Sequence, residues 1–284
     1  MQILFDTSLT VEHRLRALRL GDASARFLMR RAAEDLEERL LAVGRRFERA
    51  ATLYCFGDEA KQAILASGRA ADVLRIEADA AFLAGAPGRQ GGMEALPLAP
   101  ESIDLAVSLL SMHEMNDLPG LMIQTRQALR PDGLFLAAFA GSGTLAELRE
   151  ALLAAETELS GGASPRVLPF ADVRDAGALL QRAGFALPVA DIETVTVRYD
   201  TMFDLIRDLR AMGATNVLAE RSRRPATRRL FGRAAEIYAE RFSDPDGRVR
   251  ATFSLVWVSG WAPHPSQQKP LKPGSARISL KDVL

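Results

Sequence analysis

The chain has 284 residues, 48% of them hydrophobic, and its 36 Lys and Arg balance its 36 Asp and Glu. This length and apolar share predict one elaborated globular domain or two small ones. The charge balance gives no global electrostatic case for nucleic acid or a membrane as the partner, and a lone cysteine, Cys55, excludes an internal disulfide and a cysteine-built zinc site.

The first ten residues contain no basic leader, and no apolar run approaches the roughly 20 residues that span a bilayer. A single cysteine also fits a reducing compartment. We therefore expect a cytoplasmic protein that is not exported and has no membrane span.

The first predicted element is a helix that packs on a sheet. After a polar start, it is capped by Asp22 or Ser24 and stopped by Gly44. Its apolar positions recur every four residues: Leu28, Ala32, Leu36 and Leu40.

The following residues alternate between strand patterns and helix patterns. Strands are predicted at 51–56, 72–76, 102–110 and 134–140, and helices at 59–66, 78–83, 117–129, 144–159 and 173–183, with 85–92 as a loose connection. Strands that alternate with helices at these spacings predict a parallel sheet with right-handed crossovers.

The last part of the chain breaks this alternation. Strands near 185–191 and 251–260 complete the predicted sheet, while the pattern between Tyr199 and Phe242 is purely helical. We expect a single domain over residues 1–261, with a helical lid at about 200–243 over the carboxyl edge of the sheet. Residues 262–284 are proline-rich and polar, which predicts an extended arm.

Several short segments carry a family resemblance. Leu96 to Leu98, Ser102 to Leu105 and Ser111 to His113 resemble the region around the fourth strand of class I S-adenosylmethionine methyltransferases. Asn116 to Gly120, Leu129 to Gly133, Pro169 to Phe170, Gly213 to Asn216 and the closing residues 251–275 resemble one branch, the bacterial relatives of mitochondrial complex I assembly factor 5. A more distant similarity is to the malonyl-carrier-protein methyltransferase of biotin synthesis.

The resemblance implies an α/β fold, a Rossmann-like class I methyltransferase sheet with helices on both faces and a helical lid inserted before the last strand. It implies S-adenosyl-L-methionine as the cofactor. For the mitochondrial relative it implies arginine hydroxylation on a complex I subunit, so the reaction class stays open between methylation and hydroxylation.

The turn after the first strand departs from the family pattern of an acid followed by three alternating glycines. Aligned on the strand end, the pattern places Leu53 at the acid and Cys55, Gly57 and Glu59 at the glycines, so one glycine remains. Glycine is used there because the cofactor lies against bare backbone. In a second interpretation this is an ordinary turn, where Asp58 and Glu59 each stabilise the helix start by about 0.3–1 kcal/mol.

Glu77, at the end of the second strand, matches the acid that holds the ribose hydroxyls in this fold. The alternative is an exposed strand-end acid. Gly92 stands where an acid usually receives the adenine amino group, and Glu94 replaces it only if the loop shifts. The predicted cofactor residues are Tyr54, Cys55, Phe56, Gly57, Glu77, Met93, Glu94, Ser108, Leu109 and Leu110, of which Tyr54 or Phe56 would fill space intended for adenosine.

His113 is the predicted catalytic residue, because it follows the fourth strand and suits a general base or a group that orients the substrate. A structural histidine that hydrogen bonds to Asn116 is the alternative. Glu114 stands where the branch carries an aromatic residue, and Asp117 is predicted to cap the next helix.

No metal site is predicted. Cys55 is expected to be buried as a small apolar group. A two-histidine, one-carboxylate iron site would require His113 to meet His13 or His264, which are distant in sequence.

The lid carries a strongly basic segment between residues 207 and 233, in which Asp208 and Glu220 are outnumbered by eight arginines: Arg207, Arg210, Arg221, Arg223, Arg224, Arg228, Arg229 and Arg233. A solvated helix surface is one interpretation. The other is a surface for an acidic protein partner, a complex I subunit or an acyl carrier protein; sparse aromatic residues argue against nucleic acid.

Two functional hypotheses follow. In the first, the chain is a methyltransferase-like enzyme that acts on a protein or carrier-bound substrate, with a role in complex I assembly. In the second, it is a non-catalytic assembly or chaperone-like protein that keeps the fold and binds an acidic partner through its lid.

Overall fold

The computed structural model describes residues 3–267. The strands are β1 (Ala50–Leu53), β2 (Val73–Glu77), β3 (Gly88–Gln90), β4 (Ile103–Leu109), β5 (Leu129–Ala140), β6 (Ala186–Tyr199) and β7 (Val249–Trp261). The helices are α1 (Thr7–Leu20), α2 (Phe27–Ala42), α3 (Glu59–Ala66), α4 (Leu118–Ala128), α5 (Ala146–Ser160), α6 (Val173–Arg182), α7 (Met202–Ala211) and α8 (Arg228–Phe242).

The strands form one seven-stranded sheet in the order β3-β2-β1-β4-β5-β7-β6. The first five pair in parallel, as the alternation predicts. β7 runs antiparallel to both β5 and β6, so the prediction of a parallel sheet is wrong at this edge. The lid returns the chain beside β6, and the alternating exposure along β6 is the pattern of a strand with one face in solvent.

Helices cover both faces of the sheet. α4 and α6 pack on one face, and α2 and α3 pack on the other. The four predicted apolar positions of α2 are all buried, which confirms its amphipathic pattern. α5, α7, α8 and the start of β7 form a third cluster, which joins the lid to the sheet.

Two elements were missed by the sequence analysis. α1 lies in the segment interpreted as a polar start, and its buried face is so small that Thr10 alone is fully covered. Its ends do carry signals: the Asp6 carboxylate accepts from Leu9 N, and Gly21 ends the helix with φ 62°. β3 is an exposed edge strand of three residues without an apolar pattern.

The lid lies between β6 and β7, as predicted, but it is not purely helical. α7 and α8 are separated by residues 212–227, which carry Arg221, Arg223 and Arg224 outside any helix. No helix in residues 3–267 is both long and apolar enough to cross a bilayer. Most of the predicted C-terminal arm, residues 268–284, lies outside the described residues.

Packing of α2 on the sheet predicts a large stability difference between two leucines of that helix. Leu36 is fully buried, whereas Leu41 is 52% exposed. Leu36→Ala should lower the free energy of unfolding by about 2–5 kcal/mol, because it removes buried methyl groups and leaves a cavity. Leu41→Ala, the matched control, should change it by about 0.5 kcal/mol or less. Urea unfolding of both variants measures the difference, and equal losses would contradict this packing.

Candidate functional site

The predicted site residues meet at the carboxyl edge of the parallel strands. The turn after β1 is strained, because Tyr54 and Phe56 both have φ 53°, a left-handed conformation that side chains disfavour. Backbone strain of this kind persists only where surrounding contacts hold it. Here the Tyr54 hydroxyl donates to Gly92 O at 2.6 Å, and Tyr54 N donates to Ile76 O at 2.7 Å.

The Glu77 carboxylate also stabilises this turn. Its Oε2 accepts from Phe56 N at 3.0 Å, and its Oε1 lies 3.3 Å from Arg75 Nη2. The carboxylate is fully buried, and burial raises its pKa to about 7, against the lowering effect of the Phe56 amide and Arg75. Glu77 is therefore not an exposed strand-end acid, and its hydrogen-bonding capacity is used within the chain.

The space above Gly57 is filled by an ion pair. Arg26 Nη2 donates to Glu59 Oε2 at 2.6 Å, and a Cβ placed on Gly57 would overlap both side chains. A side chain at position 57 would therefore require the Arg26–Glu59 pair to shift. Asp58, which lies between Gly57 and Glu59 in the sequence, has its Oδ1 3.5 Å from Arg75 Nη1.

In this conformation the turn is occupied by the chain's own side chains. The amino-acid part of S-adenosylmethionine would lie against the backbone at Gly57, where the Arg26 guanidinium and the Glu59 carboxylate lie. Phe56 is buried and stacks edge-on against Phe82, with ring centroids 5.0 Å apart. The cofactor therefore enters this turn only if the Arg26–Glu59 pair moves, which weakens its binding.

The other predicted cofactor residues lie at the same edge but make internal contacts. Met93 is buried, and Glu94 Oε1 accepts from Asn116 N at 2.6 Å. Ser108 Oγ donates to Leu53 O at 2.9 Å, and Leu109 is enclosed within β4. As cofactor contacts, these residues remain predictions.

Cys55 is buried as a small apolar side chain, which confirms that expectation. Leu109 N donates to its sulfur at 3.3 Å, and burial raises the pKa of the thiol. The thiol is therefore neutral and is not a nucleophile in this conformation.

A cavity of about 480 Å³ lies between the carboxyl edge of the sheet and the lid. His113 and Glu114 line it, in a short 3-10 helix after β4. His113 Nδ1 accepts from Ala140 N at 3.4 Å, so Nε2 carries the proton. Burial lowers the pKa of His113 to about 4, so the imidazole is neutral at physiological pH.

Glu114 forms a buried ion pair with Arg14, a residue of the missed helix α1. Arg14 Nη2 lies 3.3 Å from Glu114 Oε2, and both side chains are 10% exposed or less. Glu114 Oε1 lies 3.9 Å from His113 Nε2 and has no hydrogen-bond partner within residues 3–267. The pair places a carboxylate oxygen with free capacity beside the imidazole.

Arg14 also joins three other parts of the molecule. Its Nη1 donates to Met212 O of the lid at 3.1 Å, and its Nη2 approaches Leu110 O at 3.4 Å. Its guanidinium lies 5.1 Å from the centre of the Phe56 ring. Sequence analysis did not find Arg14, and the cap signals of α1 are the pattern that would have led to it.

Asn116 is not the hydrogen-bond partner of His113, whose Nδ1 accepts from Ala140 N instead, so the structural interpretation of this histidine stays open with a different partner. The Oδ1 of Asn116 accepts from Leu4 N and Phe5 N, each at 2.8 Å, and thus holds the N-terminal segment. Asp117 caps α4 as predicted, accepting from Gly120 N at 2.8 Å.

The basic residues of the lid divide into two groups. Arg207, Arg221 and Arg233 are paired with Asp204, Asp6 and Glu158, respectively. The other five arginines are exposed and form no ion pair with residues 3–267; one of them, Arg210, lines the cavity, and the other four lie between residues 223 and 229. We call these four the basic lid surface: Arg223, Arg224, Arg228 and Arg229.

The three histidines do not converge. His13 Nδ1 lies 2.6 Å from Thr215 Oγ1, and His264 Nδ1 lies 2.6 Å from Ser266 Oγ. Across residues 3–267, no three His, Cys, Asp or Glu side chains are close enough together to bind a metal ion.

Comparison with known proteins identifies relatives of this chain. The family model described as "Methyltransferase domain" matches residues 55–137. The chain is 44% identical over 190 residues to the "Arginine-hydroxylase NDUFAF5, mitochondrial" of Danio rerio, a match that covers 67% of this chain and 59% of that protein. It is 36% identical over 173 residues to the malonyl-[acyl-carrier protein] O-methyltransferase of Xylella fastidiosa (strain M23), covering 61% of this chain and 56% of that protein.

A solved structure shows the same fold. It is a protein of Bacillus halodurans C-125 described as a methyltransferase, with a TM-score of 0.56 and 14% identity, and the match covers 81% of this chain and all of that one. This confirms the predicted α/β architecture. The matched region spans less than two thirds of the length of the two curated relatives named above.

The filled turn predicts weak binding of S-adenosylmethionine. Three glycine or acid contacts are replaced, and each lost contact costs on the order of 1 kcal/mol, so we expect roughly 100-fold weaker binding than in a relative with an intact loop. Replacing Arg26 and Glu59 together with Ala should tighten binding, because the space above Gly57 opens. Isothermal titration measures both effects.

The matched control for that variant is the double replacement of Arg241 and Glu150 with Ala, which removes another Arg–Glu ion pair, exposed between α8 and α5 and away from both Gly57 and the cavity. It should leave the affinity unchanged. Micromolar or tighter binding by the wild-type chain would contradict the conclusion that the turn is filled.

Burial of Glu77 predicts a specific pH dependence of stability. Between pH 4.5 and 7 the native chain keeps a proton that the unfolded chain releases, so this group lowers the free energy of unfolding as the pH rises through that window. Glu77→Gln should remove that contribution. His113 acts in the opposite sense between about pH 4 and 6.5, but equally in both proteins, so it cancels in the difference.

Urea unfolding of wild type and Glu77→Gln at several pH values gives this difference. Glu34→Gln, which changes an exposed carboxylate on α2, is the control and should give a much flatter difference. A difference for Glu77→Gln that does not fall between pH 4.5 and 7 would show that Glu77 is ionised in the native chain.

Proposed function

Since the chain belongs to the class I S-adenosylmethionine methyltransferase family and is related to the NDUFAF5 proteins, we propose that it acts on a partner protein during assembly of respiratory complex I. The relationship supports a methyltransferase-like protein. The observation that supports a protein substrate is the cavity under the lid, where the buried Glu114 lies beside His113, whose side chain is 9% exposed.

The geometry supports a positioning role for these two residues. The imidazole is neutral with its proton on Nε2, so it offers a hydrogen-bond donor toward the cavity. A histidine with a pKa near 4 is a weak base at physiological pH. Glu114 Oε1 offers an acceptor beside it, so a substrate group that both donates and accepts is oriented by the pair.

The basic lid surface supports an acidic partner. Its four exposed arginines have no counter-charge within residues 3–267 and lie on the insertion that covers the cavity. Such a patch attracts an acidic protein over long range and increases the rate of encounter. A complex I subunit and an acyl carrier protein are the two candidates.

A second candidate function rests on the filled cofactor turn. If S-adenosylmethionine does not enter, the chain would keep the fold, hold the partner at the lid and assist assembly without catalysis. The similarity to named enzymes favours the first candidate over this one. Hydroxylation is a property in the name of the relatives, and we derive no hydroxylation step for this chain.

The proposed docking surface predicts a salt-dependent loss of binding. Replacing all four arginines of the basic lid surface with Ser should slow association with an acidic partner at low salt by about tenfold or more, because electrostatic steering is lost. Thermal stability should change little, since exposed charges usually contribute within about 0.5 kcal/mol each. Surface plasmon resonance with an acyl carrier protein and with acidic complex I subunits measures the rates.

The control removes the same charge elsewhere. Arg46, Arg49, Arg174 and Arg182 are exposed and lie outside the lid, and their replacement with Ser should leave the association rate nearly unchanged. Competition by the carrier protein or by a complex I subunit identifies the partner class. Equal association of both four-Ser variants and wild type would show that the lid arginines are only a solvated surface.

A further inference from the structure

The cavity under the lid is far more apolar than a site for one polar side chain requires. Its walls come from α2, α5, α7, α8 and β7, and include Leu28, Leu148, Leu152, Leu209, Phe231 and Phe253. Its volume of about 480 Å³ is within the range of about 300–1,000 Å³ that holds small organic ligands. The pair of His113 and Glu114 explains one end of this space and leaves the apolar wall unexplained.

One of the arginines that line the cavity has no ion-pair partner among the described residues. Four arginines line the cavity against two carboxylates: Arg14, Arg26, Arg166 and Arg210 against Asp22 and Glu114. Three of these arginines are held by Glu114, Glu59 and Glu156. Arg210, on the last turn of α7, is exposed to solvent and forms no ion pair with any residue from 3 to 267. One cationic group is thus available to a ligand.

A second, independent observation lies at Arg14. Its side chain is nine-tenths buried, and both of its terminal nitrogens donate hydrogen bonds within the protein. Its Nε is also buried but has no hydrogen-bond partner among the described residues. A buried N–H without an acceptor costs free energy, and a small movement of the Arg14 side chain toward a ligand oxygen in the cavity would recover it.

The two arginines are close in the fold. Arg14 donates to Met212 O, two residues after Arg210, so both lie where α1 meets the end of α7. The apolar wall extends from there along α5 and β7, through Leu148, Leu152 and Phe253. A ligand with its charge at one end and an apolar body matches this distribution.

We propose that this cavity binds a small apolar molecule with a single anionic group, of the size of a medium-chain carboxylate. The anion lies at Arg14 and Arg210, and the apolar body packs on Leu148, Leu152 and Phe253. Binding requires neither the partner protein nor S-adenosylmethionine, although the cavity is the one in which His113 and Glu114 are proposed to orient a substrate group.

Decanoate is the probe for this site, and 1-decanol is the matched uncharged molecule. Isothermal titration of the full chain should show that decanoate binds with a micromolar dissociation constant. Decanol should bind at least about tenfold more weakly, because the charge-assisted hydrogen bonds are lost. Equal affinity for the two molecules, or no decanoate binding up to millimolar concentration, would overturn the proposal.

Two pairs of variants locate the ligand. Arg210→Gln should weaken decanoate binding about tenfold, whereas Arg207→Gln, on the same helix but outside the cavity wall, should not change it. Leu148→Trp should abolish binding by filling the cavity, whereas Leu153→Trp, exposed on the same helix, should not. Because Arg210 is exposed, its variant remains informative if Leu148→Trp fails to fold.

Binding that survives both Arg210→Gln and a folded Leu148→Trp would place decanoate elsewhere and overturn the proposal. Partner association is measured separately with the lid variants. Loss of decanoate binding with intact partner association therefore refutes this inference alone, and the reverse result refutes the docking proposal alone.

Discussion

The buried ion pair between Arg14 and Glu114 is the interaction on which the site depends. Two charges removed from water are stable only with each other and with further hydrogen bonds, and removing one typically costs about 3–5 kcal/mol. Arg14 makes those further bonds by donating to Leu110 O and Met212 O. A single guanidinium thus holds α1, the end of β4 and the lid in fixed relation around one cavity.

This pair also connects the cavity to the turn after β1. The Arg14 guanidinium lies over the Phe56 ring, and the Phe56 amide donates to the buried Glu77 carboxylate. Phe56 is therefore held from both sides in a conformation that its side chain disfavours. Its strain is offset by contacts that fill the place where the fold family uses bare glycine backbone. The turn and the lid are two parts of one packed unit.

A cavity under the lid and an open cofactor turn usually occur together in this fold, whereas this chain has the cavity without the open turn. The parallel strands still direct their carboxyl ends toward a cavity beneath a helical lid, where His113 and Glu114 lie. The turn that would hold a cofactor is instead closed by Arg26 and Glu59. The proposed ligand site in the cavity and the proposed partner surface on the lid do not need that turn to open.

Sequence alone determined the features that depend on neighbouring residues. Four-residue spacing predicted α2, apolar runs predicted β4, and the residues around His113 indicated the family, because periodicity and short motifs are local properties. The sequence also indicated the degenerate turn at Gly57, since the missing glycines can be identified from neighbouring residues alone. The cap at Asp117 was correct for the same reason.

Only the tertiary structure decided what lies across long separations. Arg26 and Glu59 are 33 positions apart, and Arg14 and Glu114 are 100 positions apart, so no sequence pattern links these partners. The antiparallel direction of β7 follows from where the lid returns the chain, and no periodicity within β7 specifies it. The burial of Glu77 was not visible in the sequence, because it depends on Arg75 and on the position of Phe56. Local propensity specifies the elements of this protein, whereas long-range packing of charged side chains specifies what its site can bind.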